Sequence, residues 1–442
     1  MRKKRFPDSK IYKYFITGSI GRIMFKAIFI FLVFVLGPNL SGNAQYYPLP
    51  DSLGGWRVLT NPQEIKEKTG VDISQMDEAF EFIKEDTKNG GLVVLKDGWL
   101  VYEKYFGKGH REATANLASC GKSFTSVAIG ILMSEYPELF SEGLEQKIFT
   151  PDYLPEWAFP LSDPMMSGIK LGQLLSFTAG IRGNNPVYVN GKPGTIDPVG
   201  PDGWYGITDK YTLGNEDAGI YNEAPFSVKK LWCNPGEGYS YSTASIHIAS
   251  IMLRHISGME LQDYISKHIG KTLGWERWGF GYKNAPDVNH TPGGGGIVLR
   301  PTDMLRFGYL LLNKGKWKNQ QIIPADYVRL SSQTSSYNPH FPYSFQFNVN
   351  TNGFYPTLPR DAFWKVGSGN HCIYVVPSLD LVVWKLGGRD GQYDPRDTGI
   401  PVHPEALKTL DDRKDWKSTV NKDNAIIKTL ELIIGSIEKR KQ

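Results

Sequence analysis

Ser119-Cys-Gly-Lys122-Ser-Phe-Thr-Ser-Val-Ala-Ile-Gly-Ile-Leu132 is the stretch on which the reading of this chain turns. Phe124, Val127, Ala128, Ile131 and Leu132 recur at helical spacing, so a helix is expected over 119–135 with one face in a core. Its first turn carries a hydroxyl and an amine three residues apart, and such positions share a face. An amine stripped of water loses its proton near neutral pH. It then takes the proton of a neighbouring hydroxyl as that oxygen attacks. The helix N-terminus adds a field that favours the developing alkoxide. Ser-x-x-Lys also occurs at Ser167, Ser227 and Ser436. Only Ser119 follows a hairpin pattern and opens a long apolar helix. A capping serine with a solvated lysine suits the other three.

Upstream, Leu92-Val-Val-Leu95, Asp97-Gly98 and Leu100-Val-Tyr-Glu-Lys-Tyr105 read as a β-hairpin. Before it, 45–70 reads as an irregular lead-in, and 72–88 as a helix capped by Asp72 or Ser74, ending at Gly90-Gly91. Downstream, short helices are expected over 170–177, 244–257 and 260–268. Between the first two, 181–225 is loop-like, with Trp204, Tyr205, Tyr211 and Tyr221 among glycines, either lining a pocket or pinning the loop. A helix over 303–313, strands over 345–350, 363–366, 372–376 and 381–385, and a helix over 422–438 complete the chain. Strands at both ends around a helical middle imply an α+β fold. Its antiparallel sheet is built from both chain ends and flanked by helices, beside a mostly α-helical lobe. The expected organisation is 45–71 lead-in, 72–135 with 291–442 as the sheet domain, and 136–290 as the α-rich lobe. A site is expected in the cleft between them.

Two further segments carry chemistry. Tyr241 lies in Pro235-Gly-Glu-Gly-Tyr-Ser-Tyr241-Ser-Thr243, just before a helix. A phenol near two cations titrates low enough to shuttle a proton to a leaving group. Tyr188-Val-Asn190 is a rival, placed in a glycine-rich loop with no apolar helix after it. The second segment is Phe363-Trp-Lys-Val-Gly-Ser-Gly-Asn-His371. An edge strand there offers a backbone N–H to an oxyanion, with the Ser119 N–H as the other donor. Ser368 is the candidate donor, and glycines allow close approach of backbone to substrate. Lys365 and His371 are candidates to hold a substrate carboxylate, with Gly367 and Thr243 as further substrate-contacting positions.

The chain has 442 residues and a net charge of +5. Residues 1–26 carry Arg2, Lys3, Lys4, Arg5, Lys10, Lys13, Arg22 and Lys26 against Asp8 alone, so the remainder is slightly acidic. That excludes a basic nucleic-acid footprint on the body. The basic start runs into an apolar stretch over 27–36, then Gly37-Pro38 and Ser41-Gly-Asn-Ala44, the order of a secretory signal peptide over 1–44. An uncleaved membrane anchor is the alternative, although the apolar run is short of the ~20 residues a span needs. Either places the body outside the cytoplasm, periplasmic or secreted. Cys120, Cys233 and Cys372 form no metal or disulfide pattern. Cys120 reads as a small buried neighbour rather than a catalytic thiol. There is no His-Glu-x-x-His, Walker loop or Gly-x-Ser-x-Gly, and Gly293-Gly-Gly-Gly296 reads as a turn cluster. Neither a metal nor a cofactor is expected.

Ser119-x-x-Lys122-Ser-Phe-Thr resembles the nucleophile helix of class C β-lactamases and their relatives, which include D-Ala-D-Ala carboxypeptidases, esterases and 6-aminohexanoate-dimer hydrolases. Leu174-Leu-Ser-Phe-Thr-Ala-Gly-Ile181 is similar to the family's Leu-Leu-Thr-His-Thr-Ser-Gly-Leu segment, and Tyr241-Ser-Thr243 to its Tyr-x-Asn. Residues 293–301, 303–313 and 373–377 are similar too, so the resemblance spans roughly residues 75–438. Thr243 stands for the usual Asn and Phe177 for the usual His, and the Lys-Thr-Gly box is at best Lys365-Val-Gly367. The resemblance implies a serine hydrolase, which the signal-like start would export: Ser119 as nucleophile, Lys122 as base, Tyr241 as proton donor. Its substrates would be small amides, esters, β-lactams or peptidoglycan-like molecules. The altered third box favours an amidase or esterase. A non-catalytic penicillin-binding sensor that acylates without turnover is the alternative.

Overall fold

The computed structural model describes residues 45–161, 163–196, 230–281, 290–394, 400, 402–421 and 424–438. The proposed signal segment, the four loop aromatics at 204–221 and Ser227 lie outside them. The lead-in is less irregular than expected, because α1 (Pro62–Thr69) forms within it. Its signals are in the sequence: the Asn61 side chain accepts the N–H groups of Gln63 and Glu64, Pro62 opens the first turn, and Gly70 closes the last at φ 74°. α2 (Ile73–Asp86) is capped by Asp72, which accepts the Ser74 N–H.

β1 (Gly90–Lys96) and β2 (Trp99–Phe106) form the expected hairpin. Asp97 and Gly98 both have positive φ, 52° and 71°, the pair of conformations that a two-residue turn needs to match strand twist. Gly90 and Gly91, read as the end of the helix, belong instead to the strand. After a 3₁₀ turn at Ala118–Cys120 comes α3 (Gly121–Glu135), buried from Gly121 to Leu132.

The middle of the chain holds α4 (Leu171–Ser176), β3 (Asn184–Val189), β4 (Lys192–Gly194), β5 (Tyr239–Tyr241), α5 (Thr243–Ser257) and α6 (Leu261–Ile265). The strand order β4-β3-β5 makes a small sheet, so Tyr188 lies on a strand rather than in the loop expected for it. β6 (Trp278–Phe280) pairs with β7 (Ile297–Leu299), and α7 (Pro301–Leu312) follows.

The chain then crosses α8 (Ala325–Ser331) and returns through β8 (Asn348–Val349), β9 (Phe363–Gly367), β10 (His371–Val376) and β11 (Leu381–Leu386), closing with α9 (Ala425–Gly435). The strand expected over 345–350 shrinks to β8, because Gln346 takes φ 67° and breaks the extension. The main sheet is antiparallel, in the order β8-β9-β10-β11-β1-β2. β1 against β11 joins the two ends of the chain, Gly91 opposite Leu386 through Lys96 opposite Leu381. α2 and α9 cover one face, burying Met76, Phe80, Ile83, Leu430 and Ile433 on Leu92, Val94, Tyr374 and Val376. α7 packs on β10 and β11. Antiparallel sheet and helices together make the α+β architecture expected.

Candidate active site

The turn at Ala118–Cys120 carries the serine. Ala118 is held at φ 47°, uncommon for a residue with a Cβ and strained enough to need enforcement by its surroundings. That enforcement is visible. The Asn116 side chain accepts the Ala118 N–H at 3.0 Å, the Leu117 N–H donates to Ile297 O at 2.8 Å, and the Gly296 N–H donates to Ala118 O at 3.0 Å. The glycine cluster is thus the floor on which the turn sits. A Cβ on Gly121 would lie 3.0 Å from the Gly295 Cα, and one on Gly294 would lie 2.3 Å from the Thr243 methyl. Thr243 packs there at the start of α5.

Ser119 is partly exposed, whereas Lys122 is 1% exposed. The Lys122 Nζ lies 3.0 Å from Ser119 Oγ and also bonds the Gly294 carbonyl. Burial, with the neighbouring Lys365 adding to it, pushes its pKa well below that of an ordinary lysine. No carboxylate among the described residues opposes that shift. A hydroxyl thus faces an amine whose neutral form burial favours.

Tyr241 closes a second side. Its phenol hydrogen-bonds Ser119, and its ring centroid is 5.2 Å from both Lys122 Nζ and Lys365 Nζ. Ser242 fixes its placement: its hydroxyl caps α5 through the Ser245 N–H and donates to Arg182 O. The expectation of a low-titrating phenol is corrected. Burial raises its pKa, and the lysines that were to lower it are themselves pushed toward neutrality. Tyr241 keeps its proton.

Lys365 reaches the site from β9, with Nζ 3.4 Å from the Tyr241 hydroxyl and 2.6 Å from that of Tyr343. Its pKa is lowered to about 7 by burial. Tyr343 was not foreseen. It is 1% exposed and stacks on Phe177 at 5.4 Å, while Phe177 meets Tyr241 edge-on at 5.0 Å. Phe177, at φ 65° after α4, is thus the apolar wedge behind both phenols. The only hint of Tyr343 in the sequence was an aromatic cluster, Phe341-Pro-Tyr343-Ser-Phe345, with no catalytic spacing to mark it.

β8 reaches only Phe363 and Trp364 of β9, and the turn carrying Ser119 lies against the strand's other half. A Cβ on Gly367 would fall 2.2 Å from Leu117 O and 3.1 Å from Cys120 Sγ, so glycine is what lets β9 approach the turn. Ser368 follows, exposed, at the tip of the β9–β10 hairpin. No hydrogen bond from the Ser119 or Ser368 N–H to a described residue is present. Ser119 sits in the 3₁₀ turn that leads into α3, where the first N–H groups lack intrahelical acceptors.

His371 does not serve the role offered for it. It is fully buried, stacked on Trp384 with rings 4° apart, and accepts the Gly387 N–H at Nδ1. Burial lowers its pKa to about 3, so it carries no charge for a carboxylate. Cys120 is also buried, its thiol pushed up to about 12 by burial, which makes it inert as a nucleophile.

A buried amine touching a serine at the start of a central helix, with a tyrosine and a second lysine across from it, is the arrangement of a serine hydrolase fold. The family model described as Beta-lactamase matches residues 76–402, well over half of the chain, and the protein belongs to that family. No curated protein sequence matches it. Among solved structures it is similar to a candidate beta-lactamase from Bacteroides dorei DSM 17855, with 16% identity, a TM-score of 0.57, and 83% of this chain and 99% of that one covered. It is also similar to a candidate 6-aminohexanoate-dimer hydrolase from Bacillus anthracis, with 18% identity, a TM-score of 0.56 and coverages of 91% and 96%. A D-stereospecific amidohydrolase from Streptomyces sp. shares 14% identity at a TM-score of 0.52, with coverages of 74% and 98%. At these identities the likeness is one of fold.

Proposed function

We propose that the protein is an exported serine hydrolase that forms an acyl-enzyme on Ser119 and cleaves a small amide or ester. The observation that carries this is the 3.0 Å contact between Ser119 Oγ and a Lys122 amine whose pKa burial pushes well below that of an ordinary lysine. A neutral amine has two N–H groups and a lone pair. One N–H is used by Gly294 O, and the lone pair is free to accept the Ser119 proton. The alkoxide attacks the substrate carbonyl as the proton moves to Lys122. The N–H groups of Ser119 and Ser368 hold the oxyanion. Tyr241, still protonated, gives its hydrogen to the leaving group, and the proton that Lys122 took from Ser119 then restores the phenol. Water then enters and hydrolyses the ester by the same relay in reverse.

The two groups read from the sequence as carboxylate anchors are poorly suited to that role. Lys365 titrates at about 7 and is committed to two phenols, and His371 is enclosed and uncharged. Neither is a ready anchor for a carboxylate, which speaks for an amidase or esterase ahead of a carboxypeptidase. The amidohydrolase description of one of the similar structures agrees with that. Export rests on the basic, apolar and small-residue order of 1–44.

Exposure to a fluorescent fluorophosphonate and to fluorescent penicillin, followed by a panel of p-nitrophenyl esters, anilides and a chromogenic cephalosporin, tests the reading. Wild type should be labelled at Ser119 and turn over an ester or anilide, and Ser119→Ala should do neither. Labelling without turnover would point to a sensor. An unlabelled wild type, or equal labelling of Ser119→Ala, would sink the assignment.

A further inference from the structure

The segment 387–394, which follows β11, lies against both arms that carry the oxyanion donors. Gln392 is the residue that spans them. Its Nε2 donates to Asn116 O at 2.8 Å and to Ser368 O at 2.9 Å, which uses both amide hydrogens. Its backbone carbonyl accepts the Asn116 N–H at 2.8 Å, so the link to that arm is reciprocal. Asn116 in turn holds Ala118 at its unusual φ through the Ala118 N–H, one residue before the nucleophile.

The other arm is as tightly set. A Cβ on Gly369, at φ 93°, would meet Gln392 Oε1 at 2.4 Å and Gly388 Cα at 2.9 Å. The Gly388 N–H donates to Gly369 O at 2.9 Å. Asn370 Nδ2 donates to both Asp86 carboxylate oxygens, at 2.9 and 3.1 Å, and Asp86 is itself paired with Lys385 in a fully buried contact. His371 backs the junction. With Nδ1 accepting from Gly387, the neutral ring carries its proton on Nε2, which lies 3.1 Å from Gln392 Nε2 and bonds the Asn116 backbone.

We infer that Gln392 is a positioning residue of the oxyanion site, setting the separation of the Ser119 and Ser368 N–H groups by bridging Asn116 O and Ser368 O. The inference rests on the acyl-enzyme reading above. The two donors come from segments about 250 residues apart in the chain, and nothing in the short-range geometry of either arm fixes their spacing. Oxyanion stabilisation falls steeply when donors are displaced, a 1 Å error being worth about a hundredfold.

Gln392→Glu tests this by setting a carboxylate oxygen against the two carbonyls that Nε2 bonds. It keeps the shape and the Oε1 acceptor for the Arg389 N–H, and it loses both donors. Gln392→Met is the uncharged counterpart. Both are measured on whichever ester the wild type turns over, with a boronic acid as a tetrahedral mimic and with thermal melting. The expected result is a loss in kcat of about tenfold to a hundredfold, KM within threefold, and boronate affinity falling in parallel with kcat. Wild-type kcat in both variants would overturn the inference while leaving the acyl-enzyme intact. So would a rise in KM with boronate affinity unchanged. An unlabelled, inactive wild type would instead remove the reading on which it stands.

Discussion

Lys122 is not made reactive by spacing, since three other serines in the chain stand three residues before a lysine. Ser167 donates to the nearby Pro164 carbonyl, while Lys170 pairs with Glu145 on the surface. Lys122 differs in its surroundings: it is enclosed, has a carbonyl and a hydroxyl for partners, and faces a second lysine rather than an acid. Each unit of pKa depression is about 1.4 kcal/mol of preference for the neutral amine. Tyr241 obeys the same physics in the opposite direction, since burial disfavours the phenolate and the phenol stays a donor. It therefore acts late, at the leaving group. Tyr241→Phe should lower kcat about a hundredfold or more with KM little changed. Steady-state kinetics check it, and a full-speed Tyr241→Phe protein would assign the proton to another group.

Among the elements, the approach of β9 to the Ala118–Cys120 turn decides whether a site exists. Gly367 allows it, and its replacement shows what the contact is for. In Gly367→Ala the methyl would fall 2.2 Å from Leu117 O, so strand and turn must separate. The expected outcome is a stability loss of about 1–3 kcal/mol and a fall in kcat/KM of about a hundredfold or more. Ser368→Ala is the contrasting change. The Ser368 side chain is exposed and only its N–H is asked to act, so activity should stay within threefold of wild type. Thermal melts with kcat/KM for both variants provide the check. A fully active Gly367→Ala protein would dissociate the strand from the chemistry.

For the molecule as a whole, what could be read from the sequence was what local spacing dictates. The Asp97-Gly98 turn, the helix of Ser119 and Lys122, the cap at Asp72 and the strands around 363–386 follow from short-range pattern. What escaped depends on approach across long separations. Tyr343, Gln392 and the Asp86–Lys385 pair become neighbours of the site only when both chain ends enter one sheet. His371 was misread for the same reason: strand periodicity places a residue on a face without saying what covers that face. The dryness around Lys122 is likewise a property of the assembled molecule, made by the glycine loop, β5, β9 and α5 together. Its consequence has a definite sign. A depressed amine is neutral above its folded pKa and gains a proton as pH falls through it, so acylation should persist well below the ordinary lysine range and fail on the acid side. The pH dependence of the single-turnover acylation rate, in wild type and in Lys122→Ala, is the most direct test. The account predicts an acid limb far below the ordinary lysine value of about 10.4, and loss of nearly all acylation in the variant. A limb near that ordinary value, or a wild-type rate in Lys122→Ala, would contradict it.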